Sequence, residues 1–378
     1  MTKRRCFLSI FLIFVLTLSA TLGVFATPKN AFANAEIFAD VKNSSFESVN
    51  SENFGKDLPT DWVIDSQNLD IENVNVISIN AYDRIKYLQV EGGTYSVESQ
   101  DYVQIENDYD YLFGVKMLFD SAEDSVTLIV KTYSEDNDLI GTYQSQTIVS
   151  ASDLIGTWQE TFLVLNKNES AKKVKVCVEI NATNGKVGVD NVYAYKNFIS
   201  LYNGASISLE RNVLSIRFTA RVDVNIYETL LNSYDEVTAG IIVSPRSQVL
   251  KSGEFTIKGV TEKDKIIVSP ATHWNNPLSF EQDGYYDYFS AFASQSYASL
   301  QGYIGIAFTT RAYVKYIENG VEKVLYSNWS YENNCRTIKQ VATLAKQDEE
   351  TYNSYPPDQQ EIITAYIEGR IPNFEGLD

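Results

Sequence analysis

Lys173-Val174-Lys175-Val176-Cys177-Val178-Glu179-Ile180 sets an apolar residue at every second position, and Asn184-Gly185 then leads into a second run, Lys186–Tyr195. Strand side chains alternate between two faces, so Val174, Val176, Val178 and Ile180 belong to one face and Cys177 to the other. Both residues of Asn-Gly tolerate positive φ, so the stretch reads as two strands joined by a tight hairpin. Working outward, strand patterns recur at Tyr111–Phe119, Val126–Tyr133, Leu139–Val149 and Trp158–Leu165, with almost no helix signal between them. Many short strands separated by turn residues read as a two-sheet sandwich or jelly roll, long enough to bury a real core.

Two phrases bracket this block. Asn43-Ser44-Ser45-Phe46-Glu47 with Leu58-Pro59-Thr60-Asp61-Trp62 opens it, and Val187-Gly188-Val189-Asp190-Asn191-Val192-Tyr193 closes it. In that order they resemble the jelly-roll carbohydrate-binding modules of secreted glycan-degrading systems, of the galactose-binding-like kind seen in families 4 and 9. The resemblance covers Val41 to about Phe198. It implies glycan binding rather than chemistry and leaves the sugar unnamed. It also implies a structural calcium ion, Ca2+, between the acids of the two phrases, Glu47 and Asp190, with main-chain carbonyls and side chains such as Asn43 or Asp40 completing a shell of six to eight oxygens. The other reading of these acids is an ordinary charged surface. Trp62 and Trp158 fall where that family places core aromatics.

A second unit begins near Ser200. Strand patterns lie at Ala205–Leu209, Val213–Val224, Ala239–Val243, Lys265–Val268, Tyr303–Tyr316 and Val321–Tyr326, the last two turned at Asn319-Gly320. A short helix is expected over Glu228–Tyr234. Ile338, Val341, Ala342, Leu344 and Ala345 recur at helical spacing after caps at Asn333 or Asn334. A final helix follows Pro356-Pro357-Asp358, carries Ile362, Ile363, Tyr366 and Ile367, and stops at Gly369. Gly204-Ala205-Ser206-Ile207, Ser215-Ile216-Arg217-Phe218-Thr219, Arg311-Ala312-Tyr313 and Tyr326-Ser327 resemble a module of secreted and surface proteins of Firmicutes, which brings no activity with it. The fold class is therefore mainly β: an N-terminal jelly-roll sandwich over 36–198, then a β-rich domain over 199–378 with C-terminal helices.

Lys3-Arg4-Arg5, the apolar run Phe7–Phe25 and Ala31-Phe32-Ala33 read as a signal peptide over 1–33 and hence an exported protein, with a retained anchor as the alternative. No second stretch of spanning length follows. The formal net charge is −18, and cleavage would remove four cations and no acids. So acidic a chain repels nucleic acid and anionic lipid. Only Cys177 and Cys335 would survive, one in each unit, so no disulfide framework is expected.

Sugars stack their C–H faces on aromatic rings and need polar groups for their hydroxyls, and the 25 Tyr of this chain suit such a site. With Val126, Leu128 and Val130 inward, Lys131 and Tyr133 face away, and Tyr143, Gln144 and Gln146 lie on the neighbouring strand. Lys131, Tyr133, Tyr143 and Gln144 are the candidate ligand face, with a plain solvated face as the alternative. His273-Trp274-Asn275-Asn276 and Tyr285-Tyr286-Asp287-Tyr288-Phe289 read as loop-like, either packing or a second platform. Arg217 and Arg311 interrupt apolar strands and are expected at solvent or paired with acids.

His273 is the only histidine, and no nucleophile elbow, H-E-x-x-H, C-x-x-C or phosphate loop is present. A carboxylate pair for glycoside cleavage has no spacing that would reveal it. Three readings stay open: a secreted or cell-surface non-catalytic protein binding a polysaccharide through its jelly roll; a glycoside hydrolase or lyase with its carboxylates in 199–378; and a structural surface or adhesion protein with no glycan ligand.

Overall fold

The computed structural model describes residues 37–50, 58–66, 73–211, 213–258, 267–270, 281–294 and 302–377. The leader reading and the His273-Trp274 segment lie outside them. The main strands of the first unit are β1 (Trp62–Ser66), β2 (Val74–Ile77), β3 (Tyr87–Ser99), β4 (Tyr111–Phe119), β5 (Ser125–Tyr133), β6 (Leu139–Gln144), β7 (Trp158–Leu165) and β8 (Lys173–Lys196). All pair antiparallel.

β8 decides the architecture, and it corrects the hairpin reading. Asn184-Gly185 is no turn. The chain runs on through it as one strand, with a register shift between Ala182 and Lys186 against β3. A Cβ on Gly185 would lie 2.3 Å from the Asp120 carboxylate, so the glycine serves a close approach. Before the shift β8 pairs β5, and after it β8 pairs β4. β3 runs alongside through both halves. One layer is thus β6-β5-β8-β3-β1 and the other β7-β4-β8-β3-β2. Their inner faces meet in a single core that includes Phe46, Trp62, Val97, Phe113, Val115, Met117, Leu128, Val130, Val176, Val178 and Val189. This is a jelly-roll sandwich. Phe46 takes φ 54° to bury its ring against Trp62, centroids 5.3 Å apart.

The second unit holds β9 (Leu214–Asp223), β10 (Asp235–Pro245), β11 (Ile267–Pro270), β12 (Tyr285–Ser294), β13 (Phe308–Glu318) and β14 (Val321–Tyr326), with helices α1 (Val224–Ser233), α2 (Arg246–Ser252), α3 (Ile338–Gln347), α4 (Glu349–Ser354) and α5 (Pro357–Glu368). β9 pairs β12, and a second sheet runs β11-β10-β13-β14. Tyr285–Phe289, read as loop-like, is strand, with Tyr286 and Tyr288 buried. Asn319 and Gly320 take φ 51° and 77°, the hairpin conformation their identity predicts. α3 is capped by Thr337 rather than Asn333 or Asn334, in a box with Gln340, and Leu344 of its stripe is exposed. Gly369 closes α5 in the left-handed conformation.

The core of the second unit is shared. Ile216, Phe218, Ile241, Val314, Ile338 and Ile362 form one buried cluster with Ile37, Leu112, Tyr195 and Phe198 of the first unit. The seam between the units is therefore apolar at one end. No helix among the described residues is long and apolar enough to cross a membrane.

Candidate functional site

β4 turns Phe113, Val115 and Met117 into the sandwich core, so Leu112, Gly114 and Lys116 point outward. Register sets Glu160 of β7 opposite Lys116, and Tyr193 and Tyr195 of β8 opposite Gly114 and Leu112. β8 bulges between Asp190 and Tyr193, with Asn191 at φ 46°, and the bulge re-aims Tyr193. Gly114 makes room for it, since a Cβ there would lie 2.1 Å from the Tyr193 ring. Tyr193 and Tyr195 stack with centroids 5.6 Å apart.

The second unit sets its own charges on this face. Lys116 Nζ lies 3.1 Å from Glu160 and 2.7 Å from Glu254. Arg311 of β13 places Nη1 2.5 Å from the second Glu160 oxygen and donates to the carbonyls of Phe255 at 3.1 Å and Ser327 at 2.9 Å. The Tyr193 hydroxyl donates to Glu160 at 2.9 Å. The Tyr195 hydroxyl donates to the Tyr326 carbonyl at 2.7 Å and accepts the Tyr326 amide at 3.0 Å. Arg311 is thus the acid-paired alternative, fully buried. Burial alone would raise the Glu160 pKa, but Arg311 and Lys116 outweigh it and hold the carboxyl at about 2. Burial likewise works against the Lys116 ammonium, and Glu160 and Glu254 more than offset it, so its pKa is raised. Two acids and two bases offset one another in charge, and a carboxyl held at about 2 donates no proton to a glycosidic oxygen near neutrality.

Beside this knot opens a cleft of about 930 Å³ between the units. Its floor is Lys116, Glu160, Tyr193 and Tyr195. Tyr82, Asp83, Arg84 and Asn191 line the jelly-roll side, and Ile257, Lys258, Tyr316, Glu318 and the whole of Val321–Tyr326 line the other. Tyr82 lies over Lys116, 4.5 Å from ring centroid to Nζ, and burial pushes its phenol up to about 12, so it stays a donor. Trp158 corrects its reading as a core aromatic. It sits opposite Leu118 on the outward face, half-buried, edge-on to Tyr82 and Tyr87.

The ligand candidates from the sequence lie on the other layer. Val126, Leu128 and Val130 are buried, as their phase predicts. Lys131 pairs with Glu98, and Tyr133 packs edge-on to Tyr102 with centroids 5.0 Å apart. Gln144 pairs in register with Ile129, on the side of Lys131 and Tyr133. Tyr143 pairs with Val130 instead and falls on the opposite side. The set is therefore not one face. Glu254 and the β14 wall were not legible, because their role comes only from the packing of one unit on the other.

Glu47 and Asp190, remote in sequence, do converge on one loop. Glu47 Oε1 accepts the amides of Ile85 and Lys86, both at 2.8 Å. Asp190 accepts the amides of Asp83 at 2.8 Å and Asn191 at 2.7 Å. Asn43 is engaged with Ser48 and Thr60. Among the described residues no group of three or more His, Cys, Asp or Glu is arranged to hold a metal ion. The arrangement is a clasp closed by main-chain donors.

No family model matches the chain, and no curated protein matches it. Among solved structures it is similar to a family 61 carbohydrate-binding module in complex with β-1,4-galactotriose, at 14% identity and TM-score 0.32, over 42% of this chain and 98% of that one. A family 22 xylan-binding domain from Paenibacillus barcinonensis matches at 14% identity and TM-score 0.29, over 40% of this chain and 91% of that one. A family 16 carbohydrate-binding module matches at 15% identity and TM-score 0.26, over 32% and 84%.

Proposed function

We propose that this is an exported, non-catalytic protein that binds a glycan in the cleft between its jelly roll and its second unit. The observation that carries the reading is the cleft itself, where half-buried tyrosines Tyr82, Tyr193 and Tyr326 stand beside acids, bases and amides. Rings offer stacking and the polar groups offer hydroxyl partners. The rim mixes Asp83, Glu318 and Glu322 with Arg84, Lys258 and Lys323, which suits a neutral sugar. Affinity electrophoresis of the full chain through gels holding xylan, β-1,4-galactan, mannan or mixed-linkage glucan tests it. Retardation by one of them that falls about tenfold in Tyr82→Ala, and not in Tyr133→Ala, supports the cleft. Loss in Tyr133→Ala alone places the site on the Lys131 layer, and no retardation in any gel overturns glycan binding by these polymers. A second reading, a structural surface protein, is favoured by one feature: the second unit already fills part of the sheet face through Arg311 and Glu254.

A further inference from the structure

Among the described residues β14 lies at the edge of its sheet, paired to β13 alone. All six of its residues line the cleft, which happens when a strand presents its main-chain edge rather than one face. The Tyr326 amide and carbonyl both reach the Tyr195 hydroxyl, so both point away from β13. In an antiparallel pair that orientation recurs every second residue. The two-residue turn at Asn319-Gly320 requires the same phase, with Val321 facing its partner Glu318. The amides and carbonyls of Val324 and Glu322 therefore point into the cleft, and among the described residues nothing hydrogen-bonds them there.

We infer that this edge is the polar wall of the glycan site: main-chain N–H and C=O groups of Glu322 and Val324, spaced by roughly 7 Å along the strand, hydrogen-bond the hydroxyls of an extended, neutral oligosaccharide lying across Tyr193. The inference rests on the reading of the cleft as a glycan site. It adds that the second unit supplies part of the ligand contact, and that it does so through backbone rather than side chains. An unpaired edge satisfied by a straight, hydroxyl-bearing chain selects linear polymers over branched or compact sugars.

Proline tests it cleanly, because at position 324 it removes a donor that faces the cleft and takes none from the ladder to β13. With the polysaccharide that most retards the wild-type chain as probe, Val324→Pro is expected to weaken binding roughly three- to tenfold, the value of one lost hydrogen bond, while Val324→Ala, which keeps the N–H, is expected to lose clearly less. Equal binding by Val324→Pro overturns the edge while leaving the glycan site standing. No retardation of the wild type overturns both. Should Val324→Pro fail to melt cooperatively, amide NMR of the wild-type chain titrated with a linear oligosaccharide decides. The Glu322 and Val324 amides are expected to shift and those of Lys323 and Leu325, turned to β13, to move less. The reverse pattern overturns the inference.

Discussion

Arg311 stands in an apolar strand with no exposed surface, and its charge is tolerable only because Glu160 sits against it. Removing one member of a buried pair leaves the other charge stranded, at about 3–5 kcal/mol. Glu160→Gln and Arg311→Met are each expected to cost that much in denaturant unfolding of the full chain, and the double variant less than the sum. Single variants within about 0.5 kcal/mol of wild type would mean that water already reaches the pair. Asp190 has no such partner among the described residues, and burial pushes its carboxyl from 3.8 up to about 7. An acid whose folded pKa is raised binds its proton more tightly when folded, so its contribution is present below about pH 4 and is lost as pH rises through 7. Asp190→Asn is expected to flatten the fall in melting temperature between pH 5 and pH 8. Calcium ligation by Asp190, Glu47 and Asn43 predicts the opposite aid: added calcium raises the melting temperature at pH 8, where Asp190 is ionised, and little at pH 5. No rise at pH 8 sinks the calcium expectation.

At the level of elements, the strands with clean alternation were legible and the departures from alternation were not. β4, β7 and β14 begin and end where their apolar patterns do. The Asn319-Gly320 turn followed from its residues, because two positive φ values in sequence leave few alternatives. Asn184-Gly185 carries the same signal and became a bend within a strand, because β3 runs beside both halves of β8 and holds them in line. β3 itself was missed, since Gly92-Gly93 breaks its pattern and reads as a turn. The same contrast governs the site. The phase of β5 predicted Lys131 and Tyr133 outward, whereas Tyr193 reaches the cleft only through the Asp190–Tyr193 bulge and the bare backbone of Gly114. Gly114→Ala is accordingly expected to displace the Tyr193 ring, cost about 1–3 kcal/mol, and abolish the stacking contact to a bound sugar. A variant that binds and melts like wild type would show that the ring moves aside freely.

On the scale of the whole molecule, the question is what the jelly roll retains without its neighbour. Among the described residues its inner core draws only on those between Ala39 and Ala194, so residues 36–198 are expected to melt cooperatively alone. The outward face of β4, β7 and β8 is another matter. Leu112, Phe162, Val164 and Tyr195 pack into the core of the second unit, and Lys116 and Glu160 draw Glu254 and Arg311 from it. The fragment therefore exposes an apolar patch and keeps a charged pair that has lost half its partners, so it should melt below the full chain and bind a hydrophobic dye. Loss of Val321–Tyr326 also takes away one wall of the cleft. If the glycan site is the cleft, the fragment binds the best polysaccharide at least tenfold more weakly than the full chain. A fragment that binds as tightly as the full chain moves the site to the layer of Lys131, Tyr133 and Gln144, to which no strand of the second unit pairs among the described residues. A fragment that neither folds nor binds shows that the two units are one cooperative structure, with the buried ion pairs and the shared apolar seam as the reason.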